Sequence, residues 1–341
     1  MRSRNLLTLL AASLALVSAT SPARAASPLD GWTPPVRATR PYLLCALYPH
    51  LRDAYWLSVN QGMVEEARRL GVRLEVQEAG GYEAQEEQQR QIAGCQTQGA
   101  DAILLGSVTP DALAGTIRAS RVPVFGVVNA LAPGLAVAEV GVDWSEMGAR
   151  IGQWLARRHP AGSPAVRVAL FPGPAERGGN NLVEPAFANA IAGSAVTLVT
   201  TRRGDNSREI QRTLVQQVLR QYPDLDYLVG GAIAAEVAVS ELSGRPRPAI
   251  AATYFSHGVQ RGLLRGRILV ANSDQMRLQG RLAVAQAVCL LNQPDASEAR
   301  CPRHLAPPIL TLERALPDTR DSLSDGDFRP VYRIASEKSG P

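Results

Sequence analysis

Aromatic and acidic side chains gather where the hydrophobic runs of this 341-residue chain end. The densest group is DAYW at 53–56, where Asp53, Tyr55 and Trp56 follow the apolar YLLCALYP at 42–49. Tyr82 closes EAGGY (78–82), Asn129 sits in VNA (128–130), and Trp144 follows VGVD. Tyr254 lies in TYFSH (253–257) and Asp274 in ANSDQM (271–276). Aromatic residues make up only 5% of the chain, so their concentration at these ends asks for an explanation. The faces of Trp and Tyr attract a cationic group covered by carbon, at ~0.5–2 kcal/mol per contact. Such a group has no N–H to offer a carboxylate, so Asp53 would contribute charge alone. A sugar would use the same ring faces, but its hydroxyls need several Asn, Asp and Arg partners. Asn129, Asp274 and Asn180 are the candidates for that role, and no arginine stands at the mouth in an obvious pairing position. A third reading packs the rings at an interface between lobes.

Catalytic signatures are missing. The chain has no G-x-S-x-G, H-E-x-x-H, P-loop or G-x-G-x-x-G pattern. His50 and His257 lie near strand ends, His159 and His304 beside prolines, and none has metal-ligand spacing. GGNN at 178–181 reads as a phosphate nest or, more simply, as a loop with a helix cap. The expectation is a binding protein, not an enzyme, with no metal or cofactor.

The elements that position these residues alternate regularly. Strand-like runs fall at 42–47, 72–79, 101–108 and 122–130, with amphipathic stretches at 54–71, 83–99 and 110–120 between them. DAILLGSV (101–108) is a continuous apolar run, as suits a parallel strand covered on both faces. The alternation restarts with a helix at 144–159 and strands at 166–173, 195–201, 225–231, 248–255 and 267–273. A long helix at 275–292 and a Pro-rich return strand at 302–313 follow. This predicts an α/β fold of two doubly wound, Rossmann-like lobes with crossovers between them. Open parallel sheets bind ligands beyond the carboxyl ends of their strands, which is where the aromatic residues lie.

Arg2 and Arg4, an apolar run from Leu6 to about Val17, and ARA at 23–25 form a secretory signal over 1–25. No later stretch is long enough to span a membrane, which needs ~20 apolar residues. The expected product is periplasmic. Removing three signal arginines leaves +5 − 3 = +2, with basic residues spread out, which argues against a nucleic-acid partner. Four cysteines in an exported chain can pair in three ways. Cys289 with Cys301 would close a local loop, and Cys45 with Cys95 would join a strand to a helix. The alternative leaves Cys45 and Cys95 as buried thiols.

Several long pieces carry a family resemblance: LCALYPHLRDAYWLSVNQGM (44–63), EAGGY, GVDWSEMG, FPGP, RGLLRGRI, SDQM, APPIL (306–310) and FRPVY (328–332). From about residue 41 to 333 the chain resembles type I periplasmic binding proteins of the ribose-binding class. Within that class it resembles the branch that senses trimethylamine N-oxide. The resemblance implies a cage for this N-oxide made by Tyr55, Trp56, Tyr82, Trp144 and Tyr254, with Asp53 as polar partner. It also implies docking on the periplasmic sensor domain of a membrane histidine kinase instead of delivery to a transporter. Its domain expectation is an N-terminal lobe of 41–142 plus about 274–305. The C-terminal lobe is 143–273 plus about 306–316, with an extension over 317–341. The competing expectation is the sugar-binding component of an ABC importer.

Overall fold

The computed structural model describes residue 29 and residues 32–175, 179–244, 247–316 and 318–335. The expected signal over 1–25 lies outside the described residues. Two sheets organise the chain. The first contains β1 (Leu43–Tyr48), β2 (Arg73–Glu78), β3 (Ala102–Leu105), β4 (Val124–Val127), β5 (Ala138–Val140), β11 (His304–Leu305) and β13 (Arg333–Ile334). Its order is β11-β5-β4-β3-β1-β2-β13. The second contains β6 (Val166–Gly173), β7 (Val196–Arg203), β8 (Tyr227–Gly230), β9 (Ala249–Ala252), β10 (Val270–Ser273) and β12 (Leu310–Leu312), in the order β12-β10-β9-β8-β6-β7. All pairs are parallel except β13 on β2 and β12 on β10. β1 and β3 are buried along their whole length, which explains their unbroken apolar sequences.

Helices α1 (Ala54–Leu70) and α9 (Met276–Asn292) pack side by side on the first sheet. Their closeness depends on glycine. A Cβ on Gly280 would stand 2.1 Å from the Val59 carbonyl oxygen, and one on Gly62 would stand 1.9 Å from that of Arg277. The chain therefore returns from the second sheet to the first after β10. It also crosses at 141–143, between β5 and α4 (Trp144–Arg158), and again between β11 and β12. The stretch expected as one return strand is thus two short strands, one in each sheet. The prolines between them prevent a continuous ladder.

The C-terminal segment adds β13 to the free edge of β2, pairing Arg333 with Glu75 and Ile334 with Leu74. Disulfides join Cys45 to Cys95 and Cys289 to Cys301, with Cα separations of 6.1 and 5.8 Å. Of the three possible pairings, these are the local loop and the strand–helix bridge, and neither Cys45 nor Cys95 is a free thiol. No helix among the described residues is long and apolar enough to cross a membrane.

Candidate functional site

The DAYW motif is a helix start. Asp53 is the N-cap of α1, with φ −116° and ψ 165°, and its carboxylate accepts the Trp56 backbone N–H at 3.1 Å. This is ordinary capping chemistry. It also fixes Tyr55 and Trp56 in the first turn, at the carboxyl end of β1. Trp56 is almost wholly buried, with its ring centroid 5.4 Å from that of Tyr48 and its indole N–H donating to the Tyr82 hydroxyl at 3.2 Å. Tyr82 reaches this position because Gly80 and Gly81 carry positive φ values of 99° and 156°. His50 packs edge-on to Tyr82 at 5.6 Å and lies 3.9 Å from the Asp53 carboxylate.

The opposite wall comes from the second half. Trp144 opens α4 beside its cap, Asp143, and Tyr254 follows β9. Tyr55 stands at the centre of the rings, with its centroid 5.8 Å from Trp56, 6.3 Å from Trp144 and 5.8 Å from Tyr254. Trp144 and Tyr254 meet at 6.2 Å. Asp53, Tyr55, Trp56, Tyr82, Asn129, Trp144 and Tyr254 all border one small cavity. Asn129 is held there by donating to the Ser107 carbonyl at 2.7 Å. Among the described residues the buried Trp144 indole N–H has no hydrogen-bond partner.

The arrangement is a ring of aromatic faces, one carboxylate and a few amides, closed between two α/β halves. The family model for periplasmic binding proteins and the sugar-binding domain of the LacI family matches residues 42–291. Periplasmic protein TorT of Escherichia coli strain K12 is 45% identical over 302 residues, covering 87% of this chain and 86% of that protein. The chain belongs to the periplasmic binding proteins, in the TorT family.

Two solved TorT-family structures are complexes of TorT with the TorS sensor domain, one without ligand and one with trimethylamine N-oxide. Each is 40% identical, covers 85% of this chain and 99% of the solved one, and has a TM-score of 0.78. An ABC transporter solute-binding protein from Bradyrhizobium sp. BTAi1, solved with bis-tris, is 36% identical at a TM-score of 0.77. It covers 88% of this chain and 92% of its own.

One residue singled out from the sequence stands apart from this cavity. Asp274 does not border the cavity. It lies behind Tyr55, whose hydroxyl donates to Asp274 Oδ2, and it is fully buried. Three other residues border the cavity: Asn180, Asn206 and Val128. Asn180 comes from the GGNN stretch. Gly179 of that stretch caps α5 (Asn180–Ile191) with φ 83° and lies against Trp144, where a Cβ would be 2.8 Å from the indole ring. Asn206 has no sequence signal because β7 continues past the expected end at 201 through the polar Arg202 and Arg203, which carries the strand end toward it. Val128 shows no sequence signal for its φ of 68°, a value a β-branched residue rarely adopts.

Burial sets the ionisation of the site. It pushes the Tyr55 and Tyr254 hydroxyls well above the usual tyrosine range, and Tyr82 up to about 12. These groups are neutral donors throughout the physiological range. Burial also raises the Asp53 carboxyl, opposed by His50 and by the backbone N–H groups of Trp56 and Tyr55. Asp274 is raised by burial too, against the hydrogen bonds from Tyr55 and Gln279.

Proposed function

We propose that this chain is an exported sensor component that binds trimethylamine N-oxide in the aromatic cage and reports its state to the periplasmic domain of a membrane histidine kinase. The observation that carries this reading is the closed set of Tyr55, Trp56, Tyr82, Trp144 and Tyr254 around a small cavity with Asp53 at its edge. Three methyl groups on a positive nitrogen match ring faces, and Asp53 complements the charge. The oxide oxygen needs a donor. Trp144 offers a buried N–H that has no partner among the described residues, and leaving such a group unsatisfied costs ~1–3 kcal/mol. The family match supports signalling as the outcome of binding, and the absence of any catalytic motif in the sequence supports binding without chemistry. The secretory pattern over 1–25 supports a periplasmic location.

A sugar fits less well. Asn129, Asn180 and Asn206 border the cavity, but no arginine is among the described residues that do. Calorimetric titration of the mature protein with trimethylamine N-oxide, against ribose and glycine betaine, tests the reading. A saturable heat for the N-oxide alone is expected. Saturation by ribose and none by the N-oxide would transfer the site to a sugar.

A further inference from the structure

We propose that Asp274, which does not border the cavity, is a positioning residue for the cage: its carboxylate holds Tyr55 by the hydroxyl and supplies negative charge to the cage through that ring. The inference rests on the ligand reading above and adds the residue that sets the affinity for a positively charged head group.

The geometry comes first. Asp274 is fully buried at the crossover from β10 into α9. Its Oδ2 accepts two donors, the Tyr55 hydroxyl from α1 and the Gln279 amide at 2.8 Å from α9. Gln279 also donates to the Asp274 backbone carbonyl at 2.8 Å, so the carboxylate cannot turn without breaking both links. The two donors on Oδ2 stabilise the charged form and oppose the burial that raises this carboxyl. Tyr55 in turn touches three of the other cage rings. Displacing its hydroxyl therefore displaces the centre of the cage.

The electrostatics point the same way. A carboxylate removed from water is costly unless a positive charge faces it. The titratable group that faces Asp274 is Tyr55. Gln279 is the neutral partner, and among the described residues no arginine, lysine or histidine acts on it. Its Oδ1 has no partner among the described residues. When ionised, Asp274 is an uncompensated buried charge one ring away from an aromatic cavity. A positive nitrogen in that cavity is the counter-charge that is missing. A phenol donating to a carboxylate also carries more electron density in its ring, which strengthens attraction to a cation at the face.

The test is calorimetric titration with trimethylamine N-oxide across about pH 5 to 8. It uses wild type, Asp274→Asn, Tyr55→Phe and the double variant, with thermal melts to confirm folding. Asp274→Asn is expected to weaken binding about tenfold at neutral pH. It is also expected to flatten the acid side of the affinity profile relative to wild type, because Asp53 is present in both. Tyr55→Phe should weaken binding similarly without touching Asp274, and the double variant should lose little more than either single change. A purely structural role for Asp274 would lower affinity by the same factor at every pH, and that result would overturn the proposal. Unchanged affinity in Asp274→Asn would overturn it as well, while leaving the ligand reading intact. Absence of N-oxide binding to wild type would instead remove the ligand reading and this inference with it.

Discussion

Gly106 and Trp56 occupy the same corner of the molecule. A Cβ on Gly106 would stand 2.5 Å from Cη2 and 2.8 Å from Cζ3 of the Trp56 indole. Gly106 follows β3, and its backbone N–H donates to the Leu47 carbonyl at 2.8 Å, so it cannot retreat. The indole cannot swing freely either, because its N–H is held by Tyr82. The absent side chain at Gly106 is what lets a tryptophan lie at the carboxyl end of the sheet.

Gly106→Ala should therefore leave the fold in place but displace Trp56 and loosen the cage. Overpacking of this kind costs ~1–3 kcal/mol, and the same displacement should weaken N-oxide binding about tenfold or more. Calorimetry and a crystal structure of the variant would check it. Full affinity with an unmoved indole would show that the corner has slack.

Trp144→Phe separates the ring face from its N–H. Phenylalanine keeps an aromatic wall against Tyr55 and Tyr254 but removes a buried indole donor that lacks a partner among the described residues. Stability should rise slightly or hold, since an unsatisfied buried donor is removed. Binding should fall by ~1–3 kcal/mol if the oxide oxygen uses that donor. Melting curves and titrations of the same preparation read both effects.

Asp53 has two jobs that one substitution can separate. Asparagine caps a helix about as well as aspartate, so Asp53→Asn should preserve α1. It should nevertheless weaken binding by ~1 kcal/mol or more, because the negative charge beside the cavity is lost. The pH dependence has a definite sign. Burial raises the Asp53 and Asp274 carboxyls above their unfolded values. In the window between unfolded and folded values the native state holds more protons, so their contribution to stability is present at lower pH and is lost as pH rises through the folded values. Affinity for a positive head group runs the opposite way, falling as pH drops through the raised values. Asp53→Asn should hold its melting temperature at neutral pH better than wild type while binding less.

Much of this was readable from residues alone, for identifiable physical reasons. Parallel strands such as β1 and β3 are buried on both faces, so their sequences are unbroken hydrophobic runs. The ends of those runs mark where ligands bind in such sheets, and this brought Tyr55, Trp56, Tyr82, Trp144 and Tyr254 together in one list. What stayed hidden depends on packing. Asp274 sits at a strand end like the others, but only the neighbouring Gln279 and Tyr55 decide that its carboxylate is held behind the cage. Val128 has its positive φ where its N–H donates to the Val140 carbonyl at 2.7 Å, a non-local bond that no local sequence preference announces. β13 is two residues in a polar tail, so its pairing with β2 had no hydrophobic pattern to show.

The disulfides should differ in weight. Cys45–Cys95 closes a separation of 50 residues and Cys289–Cys301 one of 12. Loop-closure entropy assigns ~4 kcal/mol to the first and ~3 kcal/mol to the second. Replacing the first pair by serine should lower the denaturation midpoint more than replacing the second. Both sulfurs of the first pair are buried, so the native protein should also resist mild reductant at that bond.

The tail from 318 to 335 acts as a strap across the two halves. On the first side the Ser324 N–H donates to the Ser58 hydroxyl at 2.8 Å, and the Asp325 N–H donates to Gln61 Oε1 at 2.7 Å. The fully buried Asn60 side chain reads the Val331 backbone in both directions, accepting at 2.9 Å and donating at 3.2 Å. On the second side Thr319 accepts from Gln260 at 3.0 Å, and the Ser324 carbonyl meets His257 at 2.8 Å, both from α8 (His257–Leu264). Asn60→Ala removes both links to Val331 without exposing new apolar surface elsewhere, and should cost ~1–3 kcal/mol. Deleting the chain from 318 should cost more, because Ser58, Asn60 and Gln61 all lose partners and the edge of β2 is left open. Since the strap bonds to both sides, the deletion should also raise amide hydrogen exchange in α1 and α8 together. Loss of protection confined to α1 would mean that the strap stabilises one half only.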